Sequence, residues 1–395
     1  MIRSLIALAL LSVATPSVAQ SWSRSWAVAP QSAPTDANRR IPDLTDRTVR
    51  QVVRLSSGGT RLRVRLSNEM SDRVLRIGSV EVALADADGR IVAGTSRQVR
   101  FDGETSAVVP MHAPLVSDPI ALSVEPLARI AITIHLPSGA PSPTVHSHAA
   151  ATAWIAPGNQ TDAITMRNAT RFGQRLMIAG VDVEARARQR TIVAFGDSIT
   201  DGARATNDAD TRWPDALANR LQAARMTGVG VANLGIGGNR VLLDGSGLNA
   251  LARFDRDVLS VPGVSHVIIL EGVNDIGSAW RDKVAERPTA DDIIDGYRQI
   301  IARANDRSVK VVFGTILPYK GASYWSEWGE GVRAEVNQWI RTNREADGFV
   351  DFDAATRDPA DPQRMAKAYD GGDALHPNDA GFKAMADAVA LKLLR

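Results

Sequence analysis

The sequence predicts an all-β sandwich of jelly-roll type in its N-terminal half, followed by an α/β domain whose parallel sheet is covered by helices on both faces. Three observations carry this expectation. Residues 45–185 alternate apolar and polar side chains with a period of two. Beyond Arg190, short and wholly apolar runs alternate with stretches of helical period. The change of pattern falls in one polar stretch, 184–190. A chain of 395 residues, 44% of them hydrophobic, can fill more than one core.

In chain order, the first element reads as a secretory signal. Arg3 supplies the positive start, residues 5–13 are nearly all apolar, and Ser17, Val18 and Ala19 give the small residues of a cleavage site. The expected organisation is therefore a signal peptide at 1–19, a β-sandwich at 20–185 and a catalytic α/β domain at 186–395. Export to the periplasm or beyond is expected, with cleavage near Ala19. The apolar run is short for a bilayer span, which needs about 20 residues, so stable membrane insertion is not expected. Cysteine is absent, which rules out disulfides, cysteine nucleophiles and thiolate metal sites. The net charge is +2, with Lys and Arg scattered along the chain. No basic stripe marks a nucleic-acid partner.

Within the β half, residues 61–66 alternate without a break, as do Ile130, Ile132, Ile134 and Leu136 with their neighbours. Ser57-Gly58-Gly59 and Asp88-Gly89 carry the residues of hairpin turns. No helix is expected there. In the second half, strand-length apolar runs occur at 191–195, 229–234, 264–270, 309–317 and 349–352. Helical faces lie between them: Ile293, Ile294, Tyr297, Ile300 and Ile301, then Val332, Val336, Trp339 and Ile340. A last helix opens at Asn378, a good N-cap, and carries Phe382, Met385, Val389 and Leu393 on its apolar face. Apolar strands alternating with helices indicate a three-layered arrangement with a parallel sheet.

The residues at the end of each predicted strand point to chemistry. The first strand ends in Gly196-Asp197-Ser198-Ile199-Thr200, the second in Gly235-Ile236-Gly237-Gly238-Asn239, and the third in Glu271-Gly272-Val273-Asn274-Asp275. Sites in open α/β sheets form at these carboxyl ends. A fourth piece, Asp373-Ala374-Leu375-His376-Pro377, precedes the last helix. A serine hydroxyl needs a base, and of six histidines only His376 lies in a loop with a carboxylate three residues earlier. That spacing lets Asp373 hold one imidazole nitrogen while the other faces Ser198. Gly238 N–H, the Asn274 amide and Ser198 N–H are the candidate donors to an oxyanion.

Together the four pieces resemble, in order, the four sequence blocks of the SGNH (GDSL-type) hydrolases over about residues 191–395. The resemblance implies a flavodoxin-like three-layer fold and a cofactor-free serine esterase. Ser198 matches the nucleophile, Gly238 and Asn274 the oxyanion donors, and Asp373 and His376 the rest of the triad. The upstream half, with its opening Trp22-Ser23-Arg24-Ser25-Trp26, is similar to the β-rich domain of bacterial exported members. Glu271 departs from the commonest pattern, which has a smaller or apolar residue there. The expected substrate is a small-molecule or polysaccharide ester, with removal of acetyl or other short acyl groups from carbohydrate favoured. A lipase, lysophospholipase or thioesterase would use the same residues. The reading of another class is a carbohydrate-binding module with a vestigial hydrolase domain.

Other features have blander readings. Gly235-Ile236-Gly237-Gly238 lacks the third glycine of a dinucleotide-binding turn and follows the second strand, so no cofactor is expected. Tyr319, Tyr324, Trp325 and Trp328 follow the fourth strand, as a wall for substrate or as packing for their loop. His146 and His148 would share a face in a strand, but no third ligand lies nearby in sequence and no metal is expected. Arg204 and Asp208, in the loop after Ser198, read equally as substrate contacts or as ordinary polar side chains of a solvated loop.

Overall fold

The computed structural model describes residues 22–36, 40–185 and 189–395. The expected signal segment lies outside these residues. The N-terminal half holds β1 (Trp22–Ala27), β2 (Arg47–Arg54), β3 (Arg61–Ser67), β4 (Leu75–Ile77), β5 (Ser79–Leu84), β6 (Arg97–Gln98) and β7 (Ala107–Val109). It continues with β8 (Pro114–Val116), β9 (Arg129–Leu136), β10 (Val145–His146), β11 (Ala153–Pro157), β12 (Thr170–Phe172), β13 (Arg175–Leu176) and β14 (Ile178–Glu184). A four-stranded sheet, β1-β14-β3-β8, faces a six-stranded sheet, β12-β11-β2-β9-β5-β6, and the strands pair antiparallel throughout. The alternation read from sequence sets this up. Leu62, Val64 and Leu66 from one sheet and Ile130, Ile132 and Ile134 from the other fill one shared core.

One turn differs from expectation. Ser57-Gly58-Gly59 does not close a hairpin, because β2 and β3 belong to opposite sheets. The glycines serve close approach instead: a Cβ on Gly58 would sit 2.6 Å from Val124 O, and one on Gly59 2.7 Å from Glu184 O. Asp88-Gly89 does turn the chain back, and Ala85 bridges Ile91 across it.

The second half forms a parallel sheet in the order β16 (Val229–Gly235), β15 (Arg190–Gly196), β17 (Val264–Leu270), β18 (Lys310–Gly314), β19 (Gly348–Val350). This is the flavodoxin-like order, with its switch point beside β15. The helices are α1 (Ser198–Asp201), α2 (Trp213–Ala223), α3 (Ala250–Phe254), α4 (Val273–Arg281), α5 (Ala290–Asn305), α6 (Glu327–Thr342), α7 (Phe352–Thr356) and α8 (Asp379–Ala388). Strand residues divide between two cores by their period of two. Val193, Phe195, Val267 and Ile269 pack with residues of α3 to α6, while Ile192, Ala194, Ile268 and Leu270 pack with α2, α7 and α8. The last helix is shorter than expected. It stops at Ala388, and Leu391–Leu394 forms a 3-10 turn that buries Leu394 rather than Leu393.

β1 joins the two halves. It pairs with β14, yet both its faces are covered. Trp26 and Val28 enter the sandwich core; Ala27 and Ala29 enter the core of the α/β domain. Arg24 N donates to Thr191 Oγ1 (2.8 Å), and Ser56 Oγ accepts from Val231 N (2.8 Å). The two domains therefore meet along a bonded seam. Gly230 permits it, since a Cβ there would sit 2.4 Å from Arg24 O.

Candidate active site

The site assembles at the carboxyl edge of the parallel sheet, where β15, β16 and β17 end. β15 runs into Asp197, whose carboxylate caps α1 by accepting from Ile199 N (2.9 Å). Ser198 is thus the first residue of α1, where backbone N–H groups lack intrahelical partners. Gly202 closes the helix in the left-handed conformation, at φ 100°. Gly196 and Gly235 allow the crowding: Cβ atoms there would come within 2.3 Å of Thr200 Oγ1 and Asp201 N.

Ser198 Oγ lies 2.8 Å from His376 Nε2, and His376 Nδ1 lies 2.9 Å from Asp373 Oδ2. The loop that presents His376 is built on carboxylates. Asp370 Oδ1 accepts from the N–H groups of Gly372, Asp373 and Ala374 at 2.8, 3.2 and 3.0 Å. Asp373 Oδ1 accepts from Leu375 N (3.1 Å) and His376 N (2.9 Å), leaving Oδ2 for the ring. Partial burial alone would raise the Asp373 pKa. The bonds from His376 outweigh it, with help from Arg204, and hold the carboxyl well below the usual range. An ionised Asp373 can stabilise a charged imidazole.

Gly238 and Asn274 flank the same serine in one cleft. Gly238 adopts φ 76°, and its N–H has no acceptor among the described residues. Asn274, on α4, donates from Nδ2 to Asn239 O (3.0 Å), while its Oδ1 accepts from the Tyr324 hydroxyl (3.2 Å). One Nδ2 hydrogen remains. Gly237 N is already engaged, donating to Asp201 Oδ2 (3.1 Å).

Of the four aromatics after β18, only Tyr324 lines the cleft. Tyr319 is fully buried, edge-on to Tyr324 at 5.9 Å, and Trp325 and Trp328 pack against the α/β core. The wall predicted from the four together is therefore packing for three of them, because the loop folds inward onto α4 and α6. Arg204 reaches Asp373 (3.1 Å), and Asp208 accepts from Thr152 Oγ1 (2.7 Å) on the β domain; neither lines the cleft. His146 and His148 part company. His146 is buried against Asp201 (2.9 Å), and His148 lines the cleft. Among the described residues no group of three or more His, Cys, Asp or Glu side chains is placed to hold a metal. No helix among them is long and apolar enough to cross a membrane.

Two contributions escaped sequence reading. Arg253, fully buried and stacked on Phe195, ties together the ends of three strands. It donates to Gly196 O (3.0 Å), Leu234 O (2.7 Å) and Asn239 Oδ1 (2.8 Å), and lies 3.4 Å from Glu271. Glu271, the departure from pattern, is thus one of its partners. The second is the β domain itself. The cleft, about 860 Å³, is walled on one side by Gln31, Ser32, Thr35, Ser147, His148 and Gln174. No local motif announces these residues, since only the domain seam brings them to Ser198.

A parallel sheet in this order, with a serine, an imidazole and a carboxylate in line at its switch point, defines an SGNH-type hydrolase domain. Residues 194–384 match the model of the GDSL-like Lipase/Acylhydrolase family. The C-terminal part of the chain is a domain of that family, and the protein is by class a carboxylic ester hydrolase. Solved structures similar to it include Axe2, an acetyl xylan esterase from Geobacillus stearothermophilus, at 23% identity. That match covers 53% of this chain and 95% of the other, with TM-score 0.40. Est24, a carbohydrate acetylesterase from Sinorhizobium meliloti, matches at 18% identity over 52% and 99%, with TM-score 0.41. LAE5, an α/β hydrolase enzyme from the metagenome of Lake Arreo, Spain, matches at 20% over 52% and 95%, with TM-score 0.41. No curated protein matches the chain.

Proposed function

We propose that this protein is an exported serine esterase that removes acetyl or other short acyl groups from a polyhydroxylated alcohol of the carbohydrate type. Ser198 Oγ attacks the ester carbonyl as His376 Nε2 takes its proton. Ser198 N–H, Gly238 N–H and the Asn274 amide receive the oxyanion, and the imidazolium, held by Asp373, protonates the leaving alcohol. Water then repeats the sequence on the acyl-enzyme, returning Ser198 and releasing the acid. The observation that carries this reading is the continuous relay from Ser198 Oγ through His376 to Asp373, at 2.8 and 2.9 Å, on the floor of an open cleft. Export is supported by the N-terminal pattern of Arg3, the apolar run at 5–13 and Ser17-Val18-Ala19.

The choice of substrate rests on the cleft walls. A long acyl chain binds by burying methylenes, each contributing about 0.8 kcal/mol. The β-domain wall offers polar side chains instead, among them Ser32, Thr35, Ser147, His148 and Gln174, with Phe172 as its large apolar one. Such a wall suits an alcohol rich in hydroxyl groups. The test is hydrolysis of p-nitrophenyl acetate, butyrate and octanoate, and of an acetylated oligosaccharide, by the wild type and by Ser198→Ala. Acetate is expected to be preferred, with turnover lower by roughly 10⁴ or more in the variant. A preference for octanoate would move the reading to a lipase. Folded protein that turns over no ester would leave a binding module in its place.

A further inference from the structure

Asp201 ends the first turn after the nucleophile, and its carboxylate is buried between two domains. One oxygen, Oδ2, accepts from Gly237 N (3.1 Å), the residue before the oxyanion donor Gly238. The other, Oδ1, lies 2.9 Å from Nε2 of His146, which belongs to the β domain. The remaining ring nitrogen, Nδ1, lies 2.9 Å from Ala29 O. Both neighbours of the imidazole are acceptors, so satisfying both requires a proton on each nitrogen. Burial alone would pull the His146 pKa down, but Asp201 raises it above the ordinary value, with Arg212, the residue before α2, opposing and His148 interacting from just past the end of β10.

A second contact reaches the far end of the same loop. Gln31, also from the β domain, donates Nε2 to Ser246 O (2.7 Å) and accepts Ser147 N at Oε1 (2.9 Å). Ser246 matters to the oxyanion hole because its Oγ lies 2.6 Å from where a Cβ on Gly238 would stand. The loop 235–246 is therefore tied to the β domain near both ends, while Asp275 and Arg253 of the catalytic domain hold its middle through Val241 N, Leu242 N and Asn239 Oδ1. We infer that the β domain is a positioning device for the oxyanion hole, acting through His146 on Asp201 and Gly237 and through Gln31 on Ser246. His146, Asp201 and Gln31 are positioning residues, and the catalytic domain reaches its working geometry only against this partner surface. The turnover part of the inference rests on the serine-esterase reading; the loop geometry does not.

Two isosteres separate the bonds. His146→Gln keeps a donor at the Nε2 position, toward Asp201. His146→Asn keeps a donor at the Nδ1 position, toward Ala29 O, and stops short of Asp201. Three readouts on the full chain distinguish them: kcat and KM with p-nitrophenyl acetate, inhibition by phenylboronic acid, and amide hydrogen exchange over 235–246. His146→Asn is expected to lose about tenfold or more in kcat, short of the 10²–10³ of a deleted donor, with KM within about twofold. Boronate affinity should weaken in parallel and exchange over 235–246 should quicken, while His146→Gln recovers most of each. Equal behaviour of the two variants, or unchanged exchange in His146→Asn, would overturn the inference, whatever the change in Tm. If His146→Asn does not fold, Gln31→Ala decides by the exchange readout, faster exchange supporting the inference and wild-type exchange overturning it. Exchange is measured without turnover, so a wild type inactive on every ester would defeat the esterase reading while this test still stands.

Discussion

Carboxyl groups beside the same serine are pushed in opposite directions by their surroundings. Asp373 has donors on both oxygens and stays ionised. Asp197 is fully buried, and burial together with nearby Asp275 drives its pKa up to about 7 against the bond from Ile199 N. Glu271 is raised well above its ordinary value by burial and by Asp197, against Arg253, which is shared with Asp257 and two carbonyl oxygens. Its Oε2 has no partner among the described residues. The sign for Asp197 comes from linkage. Below its ordinary value, 3.8, folded and unfolded chains both hold the proton; as pH rises toward about 7 the unfolded chain ionises first and stability falls. Asp197→Asn, which caps α1 as well as aspartate does, should therefore have the wild-type urea midpoint at about pH 4 and a higher one at about pH 8. A gap of the same size at both would sink this account. None of this was legible in the sequence, where Gly-Asp-Ser shows a turn and gives no sign that the ends of two neighbouring strands, β15 and β17, bury carboxyl groups together.

At the scale of elements, the site depends on how loops enter and leave helices. α8 starts three residues after His376, and its N-cap Asn378 does two jobs. Its Oδ1 accepts from Gly381 N (3.0 Å), while Nδ2 donates to Ala368 O (3.0 Å) and Asp370 O (3.2 Å). Asn378→Ala should cost about 1–2 kcal/mol in chemical denaturation. It should also lower kcat several-fold, since Asp370 is the post on which the His376 loop is wound. Full activity alongside the expected loss of stability would show that the loop holds without that tie. The cap was legible from sequence because it is local: an Asn before an apolar helical face. The winding of 370–376 was not. It depends on which carboxylate oxygens turn toward which N–H groups, and spacing shows only that Asp373 and His376 are close enough to meet.

For the whole molecule, the seam between the domains is the deciding feature, and it is charged as well as apolar. Because the His146 pKa is raised in the folded protein, the pair with Asp201 contributes stability in full below the ordinary imidazole value. That contribution is lost as pH rises through the raised one. The gap in Tm between wild type and His146→Gln should accordingly narrow as the solution is made alkaline. A gap that widens would mean the pair is neutral in the folded state. The sequence by itself determined the two architectures, the strands that end in the site and the order of the four active-site blocks. Periodicity and capping are properties of neighbouring residues, and the blocks keep their order in any fold that aligns those strands. Only the tertiary structure decided that β1 serves two cores, that Ser57-Gly58-Gly59 crosses between sheets, and that Gln31 and His146 stand over the loop of Gly238. These residues lie 215 and 55 positions from Ser246 and Asp201 respectively. Contacts at that separation leave no local period or motif, because their selection acts through shape and charge across a packed interface.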